Sequence, residues 1–63
     1  RRGIQALETI EKGQSLREGK NIAILRPGNQ QQGIHPRHIV EIEGKIATRT
    51  IPVGDGIQKG DWQ

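Results

Sequence analysis

The sequence predicts a small, mainly β domain made of short strands and tight turns, and two features of its composition support this prediction. Isoleucine dominates the apolar residues, and its β-branched side chain suits pleated, half-buried surfaces better than helices. Nine glycines and three prolines interrupt the apolar runs, as turns between strands do. A chain of about 60 residues buries only roughly 60% of its unfolded surface, so residues 1–63 form one domain at most. Because the chain starts at Arg1 without methionine, we expect it to be cut from a longer protein.

An internal repeat is the third observation that bears on the fold. Residues 6–19 align with residues 47–60 at a constant offset of 41, and both copies contain A-x-x-T-I-x-x-G-x-x-[LI]-x-x-G. Each copy predicts an extended segment, a glycine turn, a buried aliphatic residue (Leu16 or Ile57) and a second turn or single helical turn. The glycines of these turns are Gly13, Gly19, Gly54 and Gly60. Two copies are too few for a solenoid, so the repeat predicts approximate two-fold symmetry.

One further strand and one short helix are predicted between the two copies. The residues after Asn21 are apolar as far as Leu25, which predicts a strand over 21–25. Pro36 suits the first turn of a helix, and Gly44 stands where a C-terminal glycine belongs. The side chains expected on the buried side of this helix are Ile39, Val40 and Ile42.

Charge and cysteine content exclude several kinds of function. The net charge is +3, but the ten basic residues are scattered among seven acidic ones, so we expect no nucleic-acid partner. The chain has no cysteine and therefore neither a disulfide nor a thiolate metal site. No apolar run approaches the length of a membrane span, so we expect no membrane partner and a cytoplasmic location.

The residues that usually carry catalysis or bind metals do not form a convincing set. Ser15 is the only serine, and no base adjoins it in the sequence. His35, His38 and Glu41 follow one another at intervals of three, but Pro36 is expected to start the helix after His35 and so to break the shared face. The glycine turns also lack the ending of a phosphate-binding loop. We expect no catalytic residue, no metal and no cofactor in this domain.

The stretch LRPGNQQQGIHPR, residues 25–37, holds the best candidate for a binding residue. Arg26 carries a planar, permanently charged fork that suits carboxylate, phosphate or amide oxygens. Pro27 restricts Arg26 to extended backbone, and Pro27 and Gly28 suit the centre of a type II turn. The amide run 29–32 predicts a surface loop. The residues alone leave a second interpretation open, in which Arg26 braces the loop by bonding its carbonyl groups.

Several motifs occur in an order that resembles one domain family. Arg2 and the strand after it are followed by I-E-K-G (10–13), N-I-A-I-L-R-P-G (21–28), G-I-H-P (33–36), E-I-E-G-K-I-A (41–47) and T-I-P-V-G (50–54). Together they resemble a SAF (antifreeze-like) domain, most closely the one at the C-terminus of the sialic acid synthase family. That family includes N-acetylneuraminate, legionaminate and pseudaminate synthases and spore-coat polysaccharide synthases. The resemblance covers the whole chain and implies a β-clip, or pretzel, fold with internal pseudo-two-fold symmetry.

The resemblance also implies a function for the longer protein. In this family an N-terminal (β/α)8 barrel, absent from this chain, condenses phosphoenolpyruvate with an N-acetylated hexosamine, assisted by Mn²⁺ or Mg²⁺. The SAF domain crosses to the partner protomer of a domain-swapped homodimer and caps its barrel, where the arginine of R-P-G approaches the sugar. Here that residue is Arg26, and the resemblance makes it the substrate-binding residue. Its supporting loop comprises Pro27, Gly28, Asn29, Gln30 and Gly33. The isolated domain is expected to have no synthase activity.

Two points of the resemblance leave alternatives open. The amide run makes the loop longer than in many neuraminate synthases, and G-I-H-P-R (33–37) looks closer to the pseudaminate and spore-coat branches, so the sugar acid made is not fixed. SAF relatives also serve as binding or assembly modules in sugar-acid dehydratases and in pilus or flagellar assembly. Ice binding, the activity of the related fish antifreeze proteins, is disfavoured because charged residues make up 27% of the chain.

Overall fold

The computed structural model describes residues 1–63, and few of them lie in regular elements. The elements are β1 (Gly3–Ala6), β2 (Ile22–Leu25), a 3₁₀ turn (Pro36–His38) and α1 (Ile39–Ile42). β1 and β2 form an antiparallel ribbon in which Gly3 faces Leu25 and Ala6 faces Ile22. The predicted second strand therefore starts one residue later than expected, because Asn21 belongs to the preceding turn. No helix is long and apolar enough to cross a membrane.

A pseudo-two-fold axis passes between Ile10 and Ile51, which are equivalent positions of the repeat. Each of these residues donates its N–H to the carbonyl of the other at 2.8 Å. Further pairs of equivalent backbone bonds repeat across the axis at 2.8 Å. The N–H groups of Gly13 and Gly54 donate to the carbonyls of Ala47 and Ala6. Those of Leu16 and Ile57 donate to the carbonyls of Lys45 and Ile4. The symmetry predicted from the repeat is thus confirmed. Most pairing between the halves consists of single bridges, which is why so little of the chain counts as strand.

The turns of the two halves are equivalent as well. Gln14 N–H bonds the carbonyl of Glu11 at 3.0 Å, and Asp55 N–H bonds the carbonyl of Pro52 at 3.1 Å. The residue before each donor is a glycine with positive φ, 94° at Gly13 and 87° at Gly54, which other residues adopt only with strain. The segments ending at Gly19 and Gly60 are β-turns of the same kind. The alternative of one-turn helices there is wrong, since neither segment contains a helical residue. The carbonyl of Arg17 accepts the N–H groups of Lys20, Asn21 and Ile22, and the carbonyl of Gln58 accepts that of Asp61.

The core consists of small and medium aliphatic side chains contributed by both halves. Nine of them are at most 2% exposed: Ile4, Ala6, Ile10, Leu16, Ile22, Ile42, Ala47, Ile51 and Ile57. Leu16 and Ile57 were predicted to fill the core from equivalent positions, and both are completely buried. Trp62, the only aromatic residue, is half-buried and packs against the outside of this cluster.

Each half also has one buried polar side chain that caps an equivalent backbone N–H group, although Asn21 and Asp61 are not themselves equivalent positions of the repeat. Asn21 Oδ1 accepts the N–H of Arg17, and Asp61 Oδ2 accepts the N–H of Gln58, both at 2.8 Å. Asp61 in addition holds the guanidinium of Arg49 through bonds of 2.9 and 3.0 Å. The hydrogen bond that Arg49 donates to Asp61 is the main cause that raises the pKa of Arg49 above its ordinary value. No buried side-chain polar atom lacks a hydrogen-bond partner.

The predicted short helix is present but buries fewer residues than expected. It consists of the 3₁₀ turn followed by the single turn of α1, and Gly44 after it has a φ of 81°. Ile42 is buried and Ile39 is half-buried, as predicted. The prediction that Val40 faces the core is wrong, since its side chain is 83% exposed. Residues three apart share a helix face, whereas Val40 is rotated by about 100° from Ile39 and points to solvent.

Candidate functional site

Arg26 directly follows the last residue of β2 and is exposed. Its guanidinium group forms no hydrogen bond and no ion pair within the chain. The guanidinium groups that do so belong to Arg17 and Arg49. The interpretation in which Arg26 braces the loop carbonyls is therefore wrong, and its donors are available to a group from outside the chain.

The turn after Arg26 lies one residue later than predicted. Gln30 N–H bonds the carbonyl of Pro27 at 3.1 Å, so Gly28 and Asn29 are the central residues of the turn. Gly28 has a φ of 65° at the first central position, and no residue other than glycine in the chain has a positive φ. This sign pattern matches a type II′ turn. The bond that would close the predicted type II turn centred on Pro27 and Gly28, from Asn29 N–H to the carbonyl of Arg26, does not form, so that turn was predicted one residue too early.

Two glutamines of the amide run attach the loop to the body of the domain. Gln30 Nε2 donates to the carbonyl of Val53 at 2.9 Å and to Asp55 Oδ1 at 3.0 Å. Gln32 Nε2 donates to the carbonyl of Arg2 at 3.1 Å. The run is a surface loop, as predicted, but its amides bridge to residues on both sides of it. The loop that follows Arg26 is therefore fixed to the second half of the repeat.

Gln5 fastens the same loop from beneath and was not predicted as a functional residue. Its side chain, within β1, is 1% exposed. Gln5 Oε1 accepts the N–H of Gly33 at 2.6 Å, while Nε2 donates to the carbonyls of Gly54 at 2.9 Å and Gln31 at 3.2 Å. Both amide donors and the amide oxygen of this buried side chain thus hold the loop against the turn 52–55.

At Gly33 the end of the loop lies directly against the backbone of β1 and of Gly56. It is buried, and a Cβ atom built on it would overlap the carbonyl of Ile4. A Cβ atom on Gly3 or Gly56 would overlap the backbone of Gly33 in turn. Three glycines are therefore required where these segments meet, and Gly33 belongs to the supporting loop for this physical reason.

A polar recess of about 620 Å³ opens beside the loop. Its lining residues are Arg1, Arg2, Gln32, Gly33, His35 and Pro36. Gly3 faces Leu25 in the last pair of the ribbon. Arg2 and Arg26 are the next residues outward along the two strands and therefore lie at the same end of the ribbon. Arg2 was identified from the sequence only as part of a motif, and its place beside His35 in one recess was not predicted.

The histidines do not form a metal site in this chain. His38 Nδ1 lies 3.0 Å from Glu41 Oε1, whereas His35 Nδ1 accepts the N–H of Arg37 at 3.0 Å. No group of three or more histidine and acidic side chains is placed to hold a metal ion. The family resemblance places the Mn²⁺ or Mg²⁺ in the barrel and not among these residues.

Residues 1–61 match the SAF domain family. The chain belongs to this family. It is 46% identical over 57 residues to the spore coat polysaccharide biosynthesis protein SpsE of Bacillus subtilis, covering 89% of this chain and 15% of that protein. It is 36% identical over 62 residues to the pseudaminic acid synthase of Campylobacter jejuni, covering 98% of this chain and 17% of that protein.

A crystal structure agrees with the family assignment. The SAF chain superposes on that of SpsE from Bacillus subtilis with a TM-score of 0.88 and 43% sequence identity, covering 98% of this chain and 17% of that one. The predicted mainly β fold and the predicted likeness to SAF domains of the sialic acid synthase family are confirmed. The chain spans only 15% to 17% of the length of these relatives.

Proposed function

We propose that this SAF domain is the C-terminal cap of a synthase that condenses phosphoenolpyruvate with an N-acetylated hexosamine to give a sialic-acid-type sugar acid. Its partner would be the (β/α)8 barrel of the other protomer in a domain-swapped homodimer. The support is the likeness to a spore coat polysaccharide biosynthesis protein and to a pseudaminic acid synthase. The barrel would supply the chemistry and hold the Mn²⁺ or Mg²⁺. The domain alone would have no activity, and the whole protein would be cytoplasmic.

The observation that carries the proposal is the exposed, unpartnered guanidinium of Arg26 on a fixed loop. A guanidinium group offers a planar fork of donors, which suits the carbonyl oxygen of an acetamido group and neighbouring hydroxyl groups. Since Gln5 and Gln30 already hold the loop, little backbone freedom would be lost when the sugar binds, and the ordering cost would fall mainly on the Arg26 side chain. Arg26 would orient the sugar without forming a covalent bond to it.

Steady-state kinetics of the full-length protein test this role. Consumption of phosphoenolpyruvate is followed with N-acetylmannosamine and with diacetamido-hexoses, for wild type, Arg26→Ala and Arg26→Lys. We expect kcat/KM for the sugar to fall at least 50-fold in Arg26→Ala, about 2.3 kcal/mol of transition-state stabilisation. Arg26→Lys should recover little of this loss, because an ammonium group lacks the fork. Lys12→Ala, in an exposed turn of the first half, is the matched control.

Mixed dimers test whether Arg26 acts on the partner's barrel. Protomers carrying Arg26→Ala are combined with protomers whose barrel has been inactivated. If the domain caps the other protomer, one site per mixed dimer regains both an intact barrel and Arg26, and activity returns. Arg26→Ala activity within twofold of wild type would contradict the role of Arg26, and no recovery on mixing would contradict capping across the dimer.

A further inference from the structure

We infer that the recess between the start of β1 and residues 32–36 is a binding site for the carboxylate or phosphate group of a small molecule. It is a different site from the sugar contact proposed for Arg26. The inference depends on the charges, donors and rigidity of the recess lining, so it does not require the proposed function to be correct.

The positive charge at this recess is not neutralised within the chain. Arg1 and Arg2 both line it, and no aspartate or glutamate does. The ion pairs of the chain lie elsewhere, between Arg17 and Glu43, His38 and Glu41, and Arg49 and Asp61. Two arginines that line a concave surface without a counter-charge provide a favourable potential for an anion.

The walls of the recess are held in place by hydrogen bonds. Gln32 Nε2 donates to the carbonyl of Arg2 at 3.1 Å, which links one wall to the other. Gly33 is fixed from behind by its 2.6 Å bond to the buried Gln5 side chain. An anion entering the recess would therefore meet a surface whose backbone is already ordered, which lowers the entropic cost of binding.

The hydrogen bond made by His35 determines what its ring offers to a ligand. His35 Nδ1 accepts the backbone N–H of Arg37 at 3.0 Å, so Nδ1 must keep its lone pair. The ring proton of the neutral imidazole is then carried by Nε2. His35 consequently provides an N–H donor, which is the same type of group as the guanidinium N–H of its neighbours in the recess.

The charged and ring groups of the lining select the chemical class of the ligand. Two guanidinium forks and one imidazole N–H are all donors, and Arg forks bind carboxylate and phosphate oxygens in pairs. Gln32 Oε1 is the one side-chain acceptor of the lining that is not already bonded, and a neutral sugar would need several acceptors for its hydroxyl protons. The volume of about 620 Å³ lies within the range of about 300–1,000 Å³ that small-molecule sites occupy.

Binding can be measured on the 63-residue chain itself, acetylated at its N-terminus so that the α-amino charge is absent. Amide chemical shifts are followed by NMR while inorganic phosphate, or separately acetate, replaces chloride at constant ionic strength. We expect saturable shifts centred on the amides of Gln32, Gly33 and His35 for at least one of these anions. Saturation by phosphate alone assigns the site to phosphate groups, and saturation by acetate alone assigns it to carboxylates.

Three variants test the assignment of residues. Arg2→Gln should weaken the apparent affinity at least tenfold, whereas Lys12→Gln, with the same loss of charge in a remote turn, should stay within twofold of wild type. His35→Asn retains a side-chain acceptor for Arg37 N–H but loses the ring donor, so it should weaken binding about threefold. The amide spectrum of each variant reports whether it is folded.

Two results would overturn the inference. Shifts that rise linearly without saturation, or equal effects of Arg2→Gln and Lys12→Gln, would mean that the anions sense only the overall charge. Binding of a glutamate-rich peptide without any binding of phosphate or acetate would mean that the recess meets acidic side chains of a protein, and not a small molecule.

Discussion

The two halves of this domain have the same backbone design, but only one of them receives the loop that carries Arg26. The turns 11–14 and 52–55 are equivalent, and their glycines have φ values of 94° and 87°. At Gly13 no atom lies within 4 Å of a built Cβ position, whereas at Gly54 that position overlaps the side chain of Gln30. Symmetry thus provides the scaffold, and the function proposed here depends on where the symmetry is broken.

The break in symmetry comes from a few polar side chains. Gln5 stands in the first half where the repeat places Ile46 in the second. Gln5 is buried and directs its amide towards the carbonyl of Gly54 and the N–H of Gly33. Ile46 offers no hydrogen-bonding side chain, so the equivalent surface of the other half cannot fasten a loop in this way. Substitutions can therefore separate the stability of the scaffold from the attachment of the loop.

Gly33→Ala should have the largest effect, because the added methyl group meets backbone atoms that cannot move independently. It overlaps the carbonyl of Ile4 in β1. We expect the free energy of unfolding to fall by about 3–5 kcal/mol, as for severe overpacking. A domain of this size has roughly 3–9 kcal/mol in total, so most molecules would be unfolded or the loop displaced. Urea titration followed by Trp62 fluorescence measures the change.

Gly13→Ala is the matched control in the open turn. It introduces only the strain of a positive φ, about 1–2 kcal/mol, since nothing surrounds the added methyl group. A Gly33→Ala variant that lost no more stability than Gly13→Ala would show that the loop yields easily. The description of the loop as rigidly attached would then be wrong.

The sequence predicted the features that depend on neighbouring residues and missed those that depend on distant ones. The repeat located the pseudo-symmetry because Gly13 and Gly54 need positive φ for local reasons. Gln5 was missed because the order Ile4, Gln5, Ala6 looks like ordinary alternation, with the polar side chain facing water. Its burial depends on Gly33, which lies 28 residues away.

The errors at the candidate site have a similar origin. Arg26 was selected from local chemistry; it is exposed, and its role as a substrate-binding residue stays a prediction. The turn after Arg26 was predicted one residue too early, because the local sequence suits a turn centred on Pro27 and Gly28 as well as the observed turn centred on Gly28 and Asn29. Gln30 bonds to Val53 and Asp55 across the domain, and such contacts with the distant segment do not appear in any sequence pattern.

Gln5→Leu should have an intermediate effect and act mainly on the loop. The change removes three hydrogen bonds and leaves the N–H of Gly33 and the carbonyl of Gly54 without their side-chain partner. We expect a loss of about 2–4 kcal/mol in the free energy of unfolding. Amide hydrogen exchange at Gly33 should accelerate more than exchange at Ile10, whose bond to Ile51 lies on the symmetry axis.

Gln14→Leu is the corresponding control in the first half. Gln14 Oε1 accepts only the N–H of Glu11, at an exposed position, so the expected loss is about 0.5–1 kcal/mol. If Gln5→Leu accelerated exchange at Gly33 and Ile10 equally, Gln5 would stabilise the whole domain without any particular hold on the loop.

The smallest predicted effect is the coupling between Gly54 and Gln30, which measures the asymmetry of the two turns directly. Gly54→Ala should cost as much as Gly13→Ala for its φ, and about 0.5–1 kcal/mol more because the methyl group displaces the Gln30 amide from Val53 and Asp55. In a Gln30→Ala background that excess should vanish, since nothing remains to be displaced.

Urea unfolding of the two single variants and the double variant gives this coupling energy, with Gly13→Ala in both backgrounds as the symmetric reference. Gly13 is remote from Gln30, so its cost should be the same with and without the Gln30 amide. A coupling of the same size at both glycines would mean that Gln30→Ala alters the domain as a whole. A coupling confined to Gly54 would mean that the contact with Gln30 is what distinguishes the two turns. The backbone of the two turns would then respond identically to the strain of the added methyl group.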